Sequence, residues 1–330
     1  MKKIPVLIHT HFHRRKTGLT RSVENIFPFF AATFDSYIYG YGIEGRKIKT
    51  SKLLKILFSD QKTIVHCHRN NELIRMLFFR VLGAKLTLFT TRHAATKPSK
   101  LTKFLFSKSD KIITLTKDMS ADLSLPNVLV NHGVNTGNFI PKSTIKLPNI
   151  LQKNIISCVG RVREAKGQKS LLQAVAPVLS LHKDWALVIA GKADKLSFLE
   201  ELQNIVAAHG IEKQVYFLGE VTDIVAVYQA SKTVVVPSFT EGFSLVCVEA
   251  MSCECTVIAT KNVGVHSDVI ADAKNGYLFT AGDVTELQTL LLDVINEKKT
   301  ALGKQAREEV VENWSAKNEA ENLIKIYTSV

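Results

Sequence analysis

The sequence lacks most of the features that would take it out of the ordinary α/β class. No run of apolar residues approaches the ~18 needed to span a bilayer, so no transmembrane helix is expected. The N-terminal apolar run stops at His9 and no small-residue cleavage site follows. No secretion signal is expected, and the cytosol is the expected compartment. The five cysteines, Cys67, Cys158, Cys247, Cys253 and Cys255, are odd in number and contain no paired C-x-x-C units. Neither a disulfide framework nor a zinc module is expected of them, and buried reduced thiols are. Acidic residues are scarce in the first half. Residues 1–150 hold 8 Asp+Glu against 25 Lys+Arg, a net +17, whereas the remainder carries a net −4. Two domains with different partners follow, the basic one facing something anionic: a phospholipid surface, a phosphorylated glycan or nucleic acid. There is no internal repeat and no low-complexity segment.

What is present reads as two α/β domains. The chain has 330 residues, 46% hydrophobic and 22% charged, enough for two cores. Short β-rich runs at 154–160, 185–191, 214–219, 233–238 and 256–260 alternate with helical patterns. The helices are expected to about His182, over 195–209 and 223–230, from Ser244, and over 283–297. Runs at 5–10, 63–68, 85–91, 111–116 and 127–131, with a helix over 71–82, repeat the pattern in the first half. Such alternation predicts parallel sheets. The expected division is an acceptor-binding Rossmann-like domain over 1–140 and a linker over 141–153. A nucleotide-sugar-binding Rossmann-like domain follows over 154–313. A last helix over 314–330, with Ser315 as its N-cap, is expected to cross back to the first domain. Ligands of open α/β sheets sit at the carboxyl ends of strands, so residues that end strands or open helices are the ones to weigh.

Two groups of residues stand there. Gly160 ends a strand, and Arg161 and Lys166 follow it before the next helix. A planar fork and a mobile point charge aimed at one diphosphate would offset the charge growing on a departing nucleoside diphosphate. In the second group, Glu241-Gly242-Phe243-Ser244 joins a strand to a helix whose first N–H groups suit an anion. Glu249 lies inside that helix on an otherwise apolar segment, where a carboxylate needs hydrogen-bond donors. Ribose hydroxyls would supply two.

Taken in order, GRVREAKG, PSFTEGFSLVCVEAMSCECTVIAT with its Glu241-x7-Glu249 spacing, and GYLF with Asp283 resemble the large family-four group of retaining glycosyltransferases of GT-B fold. The resemblance covers essentially the whole chain and is stronger over 155–330. It implies two Rossmann-like domains with parallel sheets facing across a cleft, and a retaining, metal-independent hexosyl transfer. Arg161 and Lys166 would hold the diphosphate, and Glu249 the ribose. Glu241 with the amides of Gly242, Phe243 and Ser244 would hold the sugar and its phosphate. In the first domain, Gly18 matches the loop that approaches the donor phosphates, His93 the histidine near the donor sugar, and Asn131-His132-Gly133-Val134 the hinge segment. The chain departs from the family at Glu254-Cys255-Thr256 and at Val263-Gly264-Val265-His266, which bears on donor identity.

A narrower resemblance, to lipopolysaccharide core mannosyltransferases acting on Kdo-lipid A, rests on three segments: 11–20, His68-Arg69-Asn70-Asn71-Glu72, and 98–110. It implies GDP-mannose as donor, with no further cofactor, and Kdo as acceptor. Arg14, Arg15, Arg69 and Arg92 would meet the acceptor's anionic groups. Lysine-rich amphipathic stretches at 46–58 and 99–109 imply peripheral contact with the anionic inner face of the cytoplasmic membrane. His9, His11 and His13 alternate, but no acidic or Cys ligand is near and Arg14-Arg15 would repel a cation, so no metal site is expected. Three alternatives stand beside this reading. One is a UDP-sugar transferase working on another cell-envelope glycan. Another is a GT-B sugar-nucleotide epimerase or phosphorylase, for which the carboxylates and the cofactor lysine are not evident. The most distant is a nucleic-acid binder, which would need aromatic-basic interleaving that is not found; no nucleic-acid partner is expected.

Overall fold

Side-chain alternation along parallel strands organises both halves of the protein. A computed structural model describes residues 4–142 and 145–330; of the expected linker, Ser143 and Thr144 lie outside the described residues, as do Met1–Lys3. The chain forms two units, one of Met1–Asn135 with Trp314–Val330 and one of Thr136–Asn313.

Unit 1 begins with β1 (Val6–Phe12), α1 (Gly18–Ile26) and β2 (Asp35–Tyr41). It continues through α2 (Thr50–Leu57), β3 (Thr63–Cys67), α3 (Asn70–Val81) and β4 (Thr87–Arg92). The helices α4 (Lys100–Phe106) and α5 (Lys117–Leu123) flank β5 (Lys111–Thr114), and β6 (Val128–Leu129) closes the sheet. Unit 2 runs β7 (Asn154–Val159), α6 (Gln168–Leu181), β8 (Trp185–Ala190), α7 (Leu196–Ala208) and β9 (Val215–Gly219). Next come α8 (Ile224–Ala230), β10 (Thr233–Val236), α9 (Leu245–Ser252) and β11 (Thr256–Thr260). It ends with α10 (His266–Val269), β12 (Tyr277–Phe279), α11 (Val284–Ile295) and α12 (Gly303–Asn313). The last helix, α13 (Ala316–Thr328), belongs to unit 1 and is capped by Ser315, whose hydroxyl accepts from the Asn318 amide at 3.2 Å.

Each unit has one six-stranded parallel sheet, ordered β2-β1-β3-β4-β5-β6 and β12-β11-β10-β7-β8-β9. These are two Rossmann-like domains. The strand β2 escapes the sequence reading because Gly40 and polar residues interrupt its pattern at the sheet edge. In each sheet the chain order reverses once, between β1 and β3 and between β7 and β10. A crevice opens at the carboxyl ends of strands at such a reversal, because the two connections leave in opposite directions.

Period-two alternation sorts the faces of the first sheet. Val6, Ile8, Val65 and Leu88 pack under α2, α3 and α4 with Leu53, Leu57, Leu73, Met76 and Phe106. The other parity, Leu7, Ile64, Phe89, Ile113 and Val130, packs under α1 and α13 with Ala320, Leu323 and Tyr327. Full burial of a side chain such as Leu323 contributes about 1.5–3 kcal/mol. Continuing that second parity toward the carboxyl ends gives His9 after Leu7, His66 and His68 after Ile64, His93 after Phe89 and Thr91, and His132 after Val130. An apolar layer therefore passes into a layer of imidazoles where the strands end. All five cysteines are buried and free.

Candidate functional site

In unit 2 the reversal between β7 and β10 brings together the first set of residues singled out from sequence. Gly160 follows β7 with φ +138°, in the region that favours glycine. Arg161 is half-exposed, and its Nη1 lies 3.2 Å from Asp194 Oδ2. Lys166 closes a 3-10 turn, Glu164–Lys166, and its Nζ donates to Glu241 Oε1 at 2.5 Å with both side chains largely buried. Glu241 Oε1 also accepts from Ser238 Oγ at 2.7 Å. The loops after the two strands are stitched to each other. The Phe239 amide donates to the Ala165 carbonyl at 3.0 Å. Gly167, at φ +70°, approaches Pro237 so closely that a Cβ would stand 1.9 Å from its carbonyl oxygen.

Gly242 and buried Phe243 lead to Ser244, which adopts φ +95° as the N-cap of α9. Its hydroxyl lies 2.7 Å from His266 Nε2, and His266 Nδ1 lies 2.9 Å from the Thr260 carbonyl. The carbonyl can only accept, so Nδ1 carries the proton and Nε2 accepts from Ser244. Burial holds the His266 pKa below its ordinary value, which keeps that arrangement neutral. Sequence reasoning took His266 only as part of a departure from the family pattern; its position at the start of α10 makes it the prop of the 241–244 loop. Glu249 is buried one to two turns into α9, where Oε2 accepts from the fully buried Tyr228 hydroxyl at 2.8 Å. This phenol on α8 had no sequence signal, since it lies 21 residues upstream on another helix.

Unit 1 places its residues at the β1/β3 reversal. Gly18 is the first residue of α1, behind a Thr17–Thr20 capping box. Arg14 and Arg15 are exposed in the loop after β1, and Arg69 is exposed at the N-terminus of α3. Arg92 is not with them. It is buried, with Nη1 donating to the Met119 carbonyl at 2.6 Å and Nη2 to the Thr96 carbonyl at 2.9 Å, so its guanidinium ties β4 to α5 and to the following loop. Glu72, which the sequence reading left without a role, straps β1 to β3 by accepting from Thr10 Oγ1 and from the amides of Phe12 and His68. Desolvation raises its pKa, and these donors oppose that rise.

The alternating histidines of β1 separate. His11 pairs with the Tyr41 carbonyl at 2.7 Å and Thr20 Oγ1 at 3.1 Å, with His13 beside it at 3.9 Å between ring centroids. His9 instead joins His66 and His68 in a buried trio in which one nitrogen from each ring lies within 4.8 Å of the others. That is close enough to consider an ion, but His9 and His66 each stack on His68, at 5.3 and 4.5 Å, and His9 Nδ1 is hydrogen-bonded to His68 Nε2 at 3.1 Å. His93 sits at the end of β4 with Nε2 3.2 Å from His68 Nδ1 and Nδ1 3.3 Å from His132 Nε2. Burial lowers the pKa of His9 to about 3 and holds His66, His68 and His93 well below the usual imidazole value.

Comparison with known proteins gives three findings. The family model described as glycosyl transferases group 1 matches residues 140–313. A lipopolysaccharide core biosynthesis mannosyltransferase, LpcC of Rhizobium leguminosarum bv. viciae, is 27% identical over 98% of this chain and 96% of its own length. Anabaena Alr3699/HepE, solved with UDP and glucose, superposes with a TM-score of 0.81 at 15% identity, over 98% of this chain and 99% of that one. The two sheets thus belong to a GT-B-like fold, and the chain is a distant relative of lipopolysaccharide-core mannosyltransferases. The expectation of GDP-mannose as donor and Kdo as acceptor is corrected. Among the solved structures that match nearly end to end, those of Anabaena Alr3699/HepE hold UDP with glucose, UDP, or UDP-glucose. The roles that the resemblance gives to the Arg/Lys pair and the Glu-x7-Glu spacing concern a diphosphate, a sugar and a ribose, parts common to both kinds of donor, so the motifs do not distinguish them.

Proposed function

Since this chain belongs to the group 1 glycosyl transferases, we propose that it transfers a hexose from a UDP-sugar to a cell-envelope glycan with retention of anomeric configuration. The observation that carries the reading is the Lys166–Glu241 pair at the β7/β10 reversal, with Arg161 on the same strand end. The bond that breaks joins the anomeric carbon to a diphosphate oxygen, and the bond that forms joins that carbon to an acceptor oxygen, whose proton passes to the departing diphosphate. Negative charge grows on the leaving diphosphate, where Arg161 and Lys166 supply opposite charge. Glu241 and the backbone of Gly242, Phe243 and Ser244 hold the sugar and its phosphate, and Glu249 takes the ribose. Gly18 and His93 are what unit 1 presents to a sugar, and exposed Arg14, Arg15 and Arg69 suit an anionic acceptor. Incubation with UDP- and GDP-sugars in a strong chelator, with mass spectrometry of the products, tests the reading. Transfer from UDP-sugars is expected to survive chelation, and calorimetric affinity for UDP is expected to fall in Glu249→Ala. Turnover with GDP-mannose alone, or activity that chelation abolishes and manganese restores, overturns it.

The acceptor reading extends to the anionic inner face of the cytoplasmic membrane. No helix among the described residues is long and apolar enough to cross a bilayer. Peripheral contact is supported by α4, where Leu101 and Phe104 are exposed beside Lys100, Lys103 and Lys108. The neighbouring α3 adds exposed Phe78, Val81 and Leu82, and Asn70 Nδ2 donates to Thr102 Oγ1 to join the two helices. The stretch 46–58 differs: Leu53, Ile56 and Leu57 are buried against their own sheet. Each lysine near such a surface contributes about 1 kcal/mol. Co-sedimentation with phosphatidylglycerol-containing vesicles is expected to fall with salt and in a Lys100→Glu, Lys103→Glu, Lys108→Glu triple variant. Wild-type protein that ignores these vesicles at low salt sinks the membrane reading.

A further inference from the structure

We propose that Glu319, on the last helix, sets the tautomer of a file of four imidazoles and is thereby a positioning residue for His93. The file runs Glu319–His132–His93–His68–His9, all within unit 1. Glu319 Oε1 lies 2.8 Å from His132 Nδ1, and Glu319 Oε2 accepts from the Gly133 amide at 2.7 Å. His132 Nε2 meets His93 Nδ1 at 3.3 Å, His93 Nε2 meets His68 Nδ1 at 3.2 Å, and His68 Nε2 meets His9 Nδ1 at 3.1 Å. His9 Nε2 is buried and has no hydrogen-bond partner among the described residues.

The joints all have the same sense, and this decides where the protons are. A neutral imidazole has one N–H and one bare nitrogen, so each N···N contact needs a donor from one ring and an acceptor from the next. A carboxylate only accepts, so His132 carries its proton on Nδ1. Its Nε2 is then bare and must accept from His93 Nδ1, whose Nε2 in turn accepts from His68, and His68 from His9. All four rings are fixed as Nδ1–H forms, and the file ends on a bare His9 Nε2. The opposite sense would set a lone pair against the Glu319 carboxylate and bury an unbonded N–H at His9, two unfavourable ends in place of one. Ser22 Oγ, 2.8 Å from His132 Nδ1, accepts or donates with equal ease and so leaves the choice to Glu319. Protonating His132, His93 or His68 would put two N–H groups face to face at a joint, and protonating His9 would bury an N–H without an acceptor. His93 therefore enters the reaction as a neutral ring with both nitrogens occupied, which shapes the site and takes no proton from the acceptor. That last step rests on the glycosyl-transfer reading, whereas the tautomers do not.

Histidine-labelled protein examined by long-range proton–nitrogen correlation at pH 7.5 reads the tautomers directly. The expected result is the Nδ1–H form for His132, His93, His68 and His9. Any of the four in the Nε2–H or doubly protonated form overturns the proposal. So does a stoichiometric metal in the purified protein whose removal changes these signals. In Glu319→Gln the single oxygen keeps the Gly133 amide and the amide nitrogen faces His132, so the file is expected to reverse to Nε2–H throughout. Turnover is expected to fall by roughly 10–100-fold, the scale of losing an orienting partner, with KM for the donor unchanged. Reversed tautomers with wild-type turnover would remove the positioning role. Ser22→Ala is expected to leave the tautomers as they are, and a change there would take the choice away from Glu319. If Glu319→Gln does not fold, the wild-type spectrum still decides the tautomers. A protein that shows the file but transfers no sugar counts against the functional reading alone.

Discussion

Lys166→Ala is expected to lower kcat by about 10²–10³-fold, the loss seen when one preorganised stabiliser of developing negative charge is removed. Its ammonium is largely buried and held at 2.5 Å from Glu241, so its orientation is set before any donor arrives. Charges in such partly desolvated surroundings act more strongly than the same charges in water. Arg161 is the contrasting case. It is half-exposed, so water screens its charge where Lys166 is sheltered, and Arg161→Ala is expected to show the smaller loss. Thermal melting of each variant separates catalysis from folding, because Lys166→Ala also leaves the Glu241 carboxylate with Ser238 as its remaining close side-chain donor. Wild-type turnover in Lys166→Ala, with melting unchanged, would remove this lysine from the mechanism.

The second large effect is on stability in acid. His9, His66 and His68 stay neutral in the folded protein because burial pushes their pKa values far down, that of His9 to about 3. In the unfolded chain they regain the ordinary value of about 6.5. Between those values the unfolded state binds more protons, so stability is fully present above about pH 6.5 and is lost as the pH falls below it. Going from pH 7.5 to 5.5 costs about 1.4 kcal/mol for His9 alone, and His66 and His68 add to the loss in the same direction. His93 and His266, whose pKa values burial also lowers, act in the same direction. Against a total stability of about 5–15 kcal/mol this is a large share. Denaturant unfolding at the two pH values is expected to show a clearly lower midpoint at pH 5.5. Equal midpoints would mean that these imidazoles are already protonated, or solvated, in the native state.

The parts of the molecule that local chemistry dictates were legible in the sequence. Runs of β-branched residues marked β7, β8, β10 and β11, and Ser315 marked the start of α13. The strand ends that carry Gly160 to Lys166 and Glu241 to Ser244 were found because two elements switch type there. What was not legible depends on pairing across long separations. The buried state of Arg92 is set by carbonyls at Thr96 and Met119, and the partner of Glu249 is a phenol on a different helix. The alternation of His9, His11 and His13 shows a shared strand face but not that His9 will find His66 and His68 on the next strand while His11 turns to Tyr41. Exposure of Phe78, Val81 and Leu82 on α3 was likewise hidden, because an apolar helix face looks the same in sequence whether it is covered or not.

The return of α13 to the first unit sets an order of events on the ribosome. Residues 136–313 are contiguous, so that unit can close as soon as it has emerged. The first unit cannot, because Ala320, Leu323 and Tyr327 must cover the sheet face built from Leu7, Ile64 and Phe89. Residue 135 and residue 314 are separated by a span whose synthesis takes about 10–40 s at 5–20 residues per second. Throughout that interval the half-finished sheet exposes an apolar strip and, beside it, imidazoles still open to water and free to take up protons. The first unit is therefore the earlier one to be made and the later one to be finished, and a holdase that binds extended apolar segments has its natural target there rather than in the second unit.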